Sequence, residues 1–218
     1  MPVITISREY GSGGKSVAKR VCEMLGYTYF DKNMMAHVAT EVGLSADEVV
    51  DFSEDTYKMR NFMDRLFDRR RIGADAWDAS ADAARSLQVE ILNEGQCIHL
   101  VKETVLGAYK HDNVVIVGRG GQAILKEQPG VLHVRLNAPR GARALRVKDQ
   151  ESLGLGEATE LVRRKDQATA AYLKRFYEVD WENPLLYHLI INTGKWELDA
   201  VAEMIVNALT RLKVIASE

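Results

Sequence analysis

Val3-Ile4-Thr5-Ile6-Ser7-Arg8-Glu9-Tyr10-Gly11-Ser12-Gly13-Gly14-Lys15-Ser16 decides the fold. A β-branched run, Val3 to Ile6, leads into a glycine-rich turn, and Lys15-Ser16 stands where helical periodicity begins. Strand, glycine loop, Lys-Ser and helix in that order make a phosphate loop. Glycines let successive backbone N–H groups turn inward with no Cβ in the way, and the helix N-terminus adds partial positive charge there. Gly11, Ser12, Gly13, Gly14, Lys15 and Ser16 are therefore predicted to hold a nucleotide, with Lys15 reaching the terminal phosphates as a catalytic cation. The Ser16 hydroxyl is the predicted Mg²⁺ ligand. The usual pattern, G-x-x-x-x-G-K-[ST], asks for glycine where this chain has Glu9. The bland alternative is an ordinary βα turn with a glycine-rich helix cap.

Composition narrows the remaining options. A chain of 218 residues builds one good-sized domain with insertions or two small ones. Its 46% hydrophobic and 28% charged residues are ordinary for a globular protein, and a formal net charge of −2 gives no global case for nucleic acid or an anionic membrane. Cys22 and Cys97 lack metal-ligand spacing and read as buried thiols in a reducing compartment. No apolar run approaches the ~20 residues needed to span a bilayer, and the N-terminus lacks the regions of a signal peptide. A cytoplasmic location is the expectation.

Working outward, Val17, Ala18, Val21, Cys22 and Leu25 form one helical stripe that Gly26 ends. Tyr27–Phe30 is a short predicted strand running into Asp31. Further strands are predicted at Val114–Val117, Val131–Leu136 and Tyr187–Asn192, and helices at 139–149, 157–177 and 196–212. Strands alternating with helices predict an α/β fold with a parallel sheet covered on both faces. Between Phe30 and Val114 the pattern is helical: 32–42, 46–54 with Ser45 as N-cap, a basic segment over 57–71, and 80–111. That connection is too long for a crossover and reads as a helical insertion covering a substrate. The arginines over 60–71 interleave with Asp64 and Asp68 and read as a solvated face.

Several other residues could carry chemistry. Arg119 lies among Gly118, Gly120 and Gly121 at the C-terminal end of a predicted strand, where ligands bind in open parallel sheets. It is predicted to reach an anion held at the phosphate loop. Asp31 could orient a substrate hydroxyl or hold Mg²⁺ through water, or simply cap a helix. Arg143 and Arg146 stand three apart on one helix and read, by themselves, as a solvated face. Arg163, Arg164, Lys165, Asp166, Lys174 and Arg175 concentrate charge on a long helix, as a water-excluding lid for phosphoryl transfer requires. His133 and His188, in apolar strands, are predicted core residues.

These landmarks together resemble the cytidylate kinase-like family of P-loop nucleoside monophosphate kinases. The resemblance runs through Ile4-Thr5-Ile6-Ser7-Arg8-Glu9-Tyr10-Gly11-Ser12-Gly13-Gly14, Tyr29-Phe30-Asp31, Val115-Ile116-Val117-Gly118-Arg119-Gly120, and Asp180-Trp181 through Pro184, Tyr187-His188 and Ile191-Asn192-Thr193-Gly194. It accounts for Glu9, since this branch carries Ser-Arg-Glu-Tyr-Gly-Ser-Gly-Gly there. It implies a P-loop NTPase core with a five-stranded parallel sheet at 1–45, 112–150 and 185–218. A helical acceptor-binding insert would occupy 46–111 and a helical lid 151–184. It further implies ATP with Mg²⁺, nucleotide substrates with CMP or dCMP first, Arg119 and Arg143 on the acceptor phosphate with Arg146 nearby, and Asp166 on the acceptor nucleotide. Relatives place an arginine where this chain has Thr169, and Arg163, Arg164 or Arg175 would have to replace it; Arg164 and Arg175 are taken as the catalytic lid cations. Two other readings stay open: another small acceptor, or a nucleotide-binding regulatory protein with weak or no transfer. No nucleic acid or membrane partner is implied, and a homo-oligomer is allowed.

Overall fold

The computed structural model describes residues 2–31 and 94–212. Among them, five strands form one parallel sheet: β1 (Val3–Arg8), β2 (Thr28–Phe30), β3 (Val114–Val117), β4 (Val131–Asn137) and β5 (Leu189–Asn192), in the spatial order β2-β3-β1-β4-β5. β1 is central, with Ile4 opposite Val115 on one side and Leu132 on the other. A strand covered on both faces needs apolar residues at successive positions, which explains the unbroken burial of Val3 to Ser7.

Side chains alternate between two cores. On one face, α1 (Gly14–Leu25) and α6 (Leu198–Thr210) bring Val17, Val21 and Ile205 against Ile4, Ile6, Leu132 and Val134. On the other, α2 (Glu94–Lys110) and the short α3 (Gly121–Ile124) set Val101, Val105 and Leu125 against Val3, Ile116 and Val131. α4 (Arg140–Glu151) and the 23-residue α5 (Leu155–Tyr177) pack on each other through Val147, Ala158 and Val162. Tyr172 and Leu173 of α5 cluster with Trp181 and Tyr187. The predicted helices over 32–42, 46–54 and 57–71, and the stretch of 80–111 before Glu94, lie outside the described residues. Cys22 is buried, and burial pushes its thiol up to about 11; the side chain of Cys97 lies outside the described residues. No helix among the described residues is long and apolar enough to cross a membrane.

The strand predicted from Tyr187 is shorter than expected. Pro184–Leu186 forms a 3₁₀ turn, because Asn183 Oδ1 accepts from the Leu185 N–H and proline suits the first helical position. Tyr187 is thereby freed from the ladder, and its hydroxyl donates to the Trp181 carbonyl at 2.8 Å. His188 is exposed rather than part of the core. Its ring stacks on His133 at 5.0 Å, and its Nδ1 accepts from the His133 backbone N–H.

His133 is buried as predicted, with Nδ1 2.7 Å from the Thr5 hydroxyl. Burial, and secondarily His188, lowers its pKa from 6.5 to about 4. Below pH 6.5 the unfolded chain takes up a proton that the native state refuses, so stability falls as pH drops toward 4. The full loss is about 3 kcal/mol. Urea denaturation across pH 4–7 is expected to show this slope, and His133→Gln to flatten it; an unchanged slope in the variant would assign the acid loss elsewhere.

Candidate active site

The loop from Glu9 to Gly13 joins β1 to α1 at the C-terminal edge of the sheet, where α/β proteins bind ligands. Two glycines there are obligatory. Gly11 has φ +79°, and a Cβ on it would stand 2.8 Å from the Arg143 carbonyl oxygen; Gly13 has φ +82°, and its Cβ would stand 2.8 Å from Leu198 Cδ2. The loop is thus clamped between α4 and α6. Gly13 caps α1 in the left-handed conformation with no side-chain hydrogen bond to the first turn. Lys15 and Ser16 are exposed in that turn. The Ser12 hydroxyl is fully buried and finds no hydrogen-bond partner among the described residues. A helix N-terminus lacking its side-chain cap, beside an exposed lysine and serine, fits an ATP phosphate chain with Mg²⁺.

Glu9 fills the place of the missing glycine with a structural task. Its Oε2 accepts from the Ala138 N–H at 3.0 Å and lies 3.2 Å from Arg143 Nε, while its own N–H donates to the Leu136 carbonyl. The carboxylate fastens the loop to the β4–α4 junction. Sequence spacing held no signal for this, because Glu9 and Ala138 are far apart in the chain.

Arg143 is the hub of the site and not a solvated helix residue; it is 5% exposed. Besides Glu9, it donates from Nε to the Ala138 carbonyl at 2.8 Å and from one terminal nitrogen to the Tyr10 carbonyl at 3.0 Å. That same nitrogen lies 2.6 Å from Asp166 Oδ2. The other Asp166 oxygen accepts from the Tyr10 N–H at 2.9 Å, so α5 is tied to the phosphate loop through one carboxylate. Around Arg143 opens a cavity of about 230 Å³ whose walls include Glu9, Arg140, Arg163, Asp166 and Trp181. Trp181 is held from behind. Its indole N–H donates to Ser7 Oγ at 2.8 Å, and the buried Arg135 guanidinium stacks on its ring at 4.5 Å and donates to its carbonyl.

Arg146 turns the other way. It donates to the Thr193 carbonyl at 2.9 Å and the Gly11 carbonyl at 3.4 Å, and it lines a second groove, of about 770 Å³, with Thr193, Gly194, Trp196, Leu198 and Ala200. Thr193 Oγ1 donates to the Ser12 carbonyl at 2.6 Å. The phosphate loop therefore sits between two cavities, each with an arginine bonded to a loop carbonyl.

The other expected residues are placed as follows. Arg119 is 1% exposed and has φ +61°, between Gly118 and Gly120 that are also left-handed. Arg119, a non-glycine residue held left-handed at a strand end, stores strain of the kind found at ligand sites. Asp31 follows β2 and bonds the Tyr29 hydroxyl; burial, then Asp31, pushes that phenol up to about 12. On α5, Arg163 reaches the cavity and is held by Glu160 and Gln167. At about 100° per residue, Arg164 and Arg175 fall some 100–120° around the helix from Arg163. Both are exposed and line neither cavity, Arg175 lying over Phe176. Thr169 is 4% exposed, on the buried side of α5. Sequence reasoning met Glu9 as the place of a missing glycine and gave no sign of its contacts with Arg143 and Ala138.

A five-stranded parallel sheet, a glycine-rich loop at a helix N-terminus and flanking arginines define a P-loop kinase. Comparisons carry this further. The chain belongs to the cytidylate kinase-like family, whose sequence profile matches residues 3–195, and it is a phosphotransferase of the nucleoside monophosphate kinase type. Cytidylate kinase from Pyrococcus horikoshii is 28% identical over 212 residues, covering 96% of this chain and 89% of that relative. Among solved structures, an uncharacterized protein from Eubacterium ventriosum superposes with a TM-score of 0.65 at 19% identity, covering 96% and 99% of the two chains. Shikimate kinase from Acinetobacter baumannii gives 0.52 at 13%, covering 97% and 94%, and shares the fold.

Proposed function

We propose that this protein transfers the γ-phosphoryl group of ATP to a nucleoside monophosphate, CMP or dCMP before others. The supporting observation is the loop between two arginine-bearing cavities: the Arg146 groove suits the donor nucleoside, and the Arg143 cavity, where three arginines stand with Glu9, Asp166 and Glu182, suits the acceptor. In this reading Gly11, Ser12, Gly13 and Gly14 cradle the donor phosphates with backbone N–H groups, and Lys15 neutralises charge that develops on them. Bound with ATP, Mg²⁺ supplies charge neutralisation at the β- and γ-phosphates, and Ser16 would hold it. Arg119 and Arg143 bind the acceptor phosphate, Asp31 and Asp166 its nucleoside side, and Arg163 supplies the lid cation. An acceptor phosphate oxygen forms the new bond to phosphorus as the β–γ bridge breaks. No general base is needed, because the acceptor is already ionised and positioning supplies most of the rate.

The same reading divides the chain into a core (1–45, 112–150, 185–218), an acceptor-binding insert (46–111) and a lid (151–184), and places it in the cytosol. CMP preference is supported by the family and by the name of the Pyrococcus relative. The competing reading, a nucleotide-responsive protein with little transfer, rests on Thr169, which puts no cation where relatives have one.

ADP release from ATP and Mg²⁺ against CMP, dCMP, UMP, AMP, GMP and no acceptor tests the proposal. Acceptor-dependent turnover highest with CMP or dCMP is the expected result. ATP binding with no acceptor-dependent turnover would favour the competing reading. Within that assay Arg163→Ala is expected to lower kcat tenfold or more, a larger loss than Arg164→Ala or Arg175→Ala. The reverse order would move the lid cation to one of those two.

A further inference from the structure

The left-handed backbone of Arg119, at φ +61°, persists only where its surroundings over-determine it. The sheet supplies part of that hold. Gly118 N–H donates to the Ile6 carbonyl at 3.0 Å, and Gly121 N–H closes the turn onto the Gly118 carbonyl at 3.0 Å. A Cβ on Gly121 would stand 3.3 Å from both Ile116 Cγ2 and Thr5 Cγ2, so that end of the turn is seated on β3 and β1.

The other hold comes from α5. Its last residue, Tyr177, lies against Gly120: a Cβ there would stand 2.6 Å from Tyr177 Cε2, 3.1 Å from Cζ and 3.2 Å from Cδ2. The ring thus fills the place that a side chain at position 120 would take, one residue from Arg119. It is itself well fixed. Tyr172 meets it edge-on, with centroids 5.7 Å apart and hydroxyl oxygens 3.3 Å apart. Lys102 Nζ, from α2, stands 5.6 Å from its centroid, and Ile98 and Leu173 belong to the same cluster.

The helix behind the ring is anchored too. Eleven residues before Tyr177, Asp166 accepts from the Tyr10 N–H at 2.9 Å and pairs with Arg143 at 2.6 Å. Beyond the helix end, the Trp181 indole N–H donates to Ser7 Oγ at 2.8 Å. A continuous helix keeps Asp166 and Tyr177 about 16 Å apart. One rod therefore meets the phosphate loop through Asp166 and the Arg119 turn through Tyr177.

We propose that Tyr177 is a positioning residue for phosphoryl transfer: its ring clamps the Gly118–Gly120 turn and so sets the Arg119 guanidinium for the acceptor phosphate. This rests on the reading of Arg119 as an acceptor-phosphate ligand. The flat ring carries the role, and the hydroxyl is dispensable. A branched aliphatic side chain leaves Gly120 room to shift, and a guanidinium displaced by a fraction of an ångström loses the alignment on which transfer depends.

Steady-state rates with CMP or ATP varied, for the wild type, Tyr177→Leu and Tyr177→Phe, each also in an Arg119→Lys background, test it. Tyr177→Leu is expected to lower kcat/KM for CMP about tenfold, with the KM for ATP kept and Tyr177→Phe restoring most of the loss. In the Arg119→Lys background, where the planar fork is already gone, the same change is expected to cost less than about threefold. An unchanged kcat/KM for CMP in Tyr177→Leu would overturn the clamp, as would an equal loss in both backgrounds. So would a loss shared equally by CMP and ATP, which would make Tyr177 a general packing residue. Should Arg119→Lys fail to fold, the CMP-against-ATP split and the phenylalanine rescue decide alone. A wild-type protein with no CMP-dependent turnover would overturn the proposed function, and this role with it.

Discussion

Lys15→Ala is expected to lower kcat about a thousandfold while the protein stays folded. Lys15 is exposed in the first turn of α1 and forms no ion pair among the described residues, so its removal breaks no salt bridge there. What disappears is a positive charge beside the proposed phosphate site, where a preorganised cation acts on charge as it develops. Losing one such group typically costs two to three powers of ten. Steady-state rates at saturating ATP and acceptor, with a thermal melt of the same sample, provide the check. Full activity in the variant would mean the loop is not the transfer site. Loss of activity together with a large drop in Tm would make the lysine structural, against its exposure.

Arg143→Ala is expected to damage both stability and turnover. Its guanidinium is nearly buried and stands between two carboxylates, Glu9 at 3.2 Å and Asp166 at 2.6 Å, whose side chains are 18% and 20% exposed. Without the cation these two anions lose their paired guanidinium, and only Arg140 and Arg163 on the cavity wall are left to offset them. Breaking a buried pair by deleting one partner costs about 3 kcal/mol, or a fall in Tm of roughly 6–12 °C for a chain of this size. Turnover should fall at least a hundredfold, because the same group is the proposed anchor for the acceptor phosphate. Arg143→Lys keeps the charge but not the planar fork that meets two carbonyls and two carboxylates, so it should recover stability only in part. Denaturant midpoints and kcat for the two variants, with Asp166→Asn alone and in combination, separate the effects. Additive losses for Arg143→Ala and Asp166→Asn would show that the pair is not coupled; wild-type stability in Arg143→Ala would remove it as the hub.

Where the chain was legible, local chemistry and burial pointed the same way. Val3 to Ile6 reads as a strand because both faces of β1 are covered, and Gly11 and Gly13 meet backbone demands that few other residues can. Tyr187 and His188 misled because apolar character alone does not reveal the 3₁₀ turn that Pro184 and Asn183 impose just upstream. Arg143 read as a surface residue because its partners, Glu9 and Asp166, are brought to it by folding and not by spacing. For the α5 arginines, composition gave the charge but not the rotation: neighbours at 163 and 164 face different surroundings.

The two ends of β4 do different work. His133, stacked on His188, lies four residues from Asn137, which closes the strand beside the phosphate loop; at about 3.3 Å per residue the two are roughly 13 Å apart. On the imidazole's own face of the strand, the buried Arg135 and the Trp181 ring stacked on it stand between His133 and the phosphate edge. Mild acidification should make the molecule easier to melt before it makes it slower, so that shelf life and catalytic competence part company on the acidic side of neutrality. A stabilised form could be sought at the far end of the sheet without trespassing on the machinery at the near end.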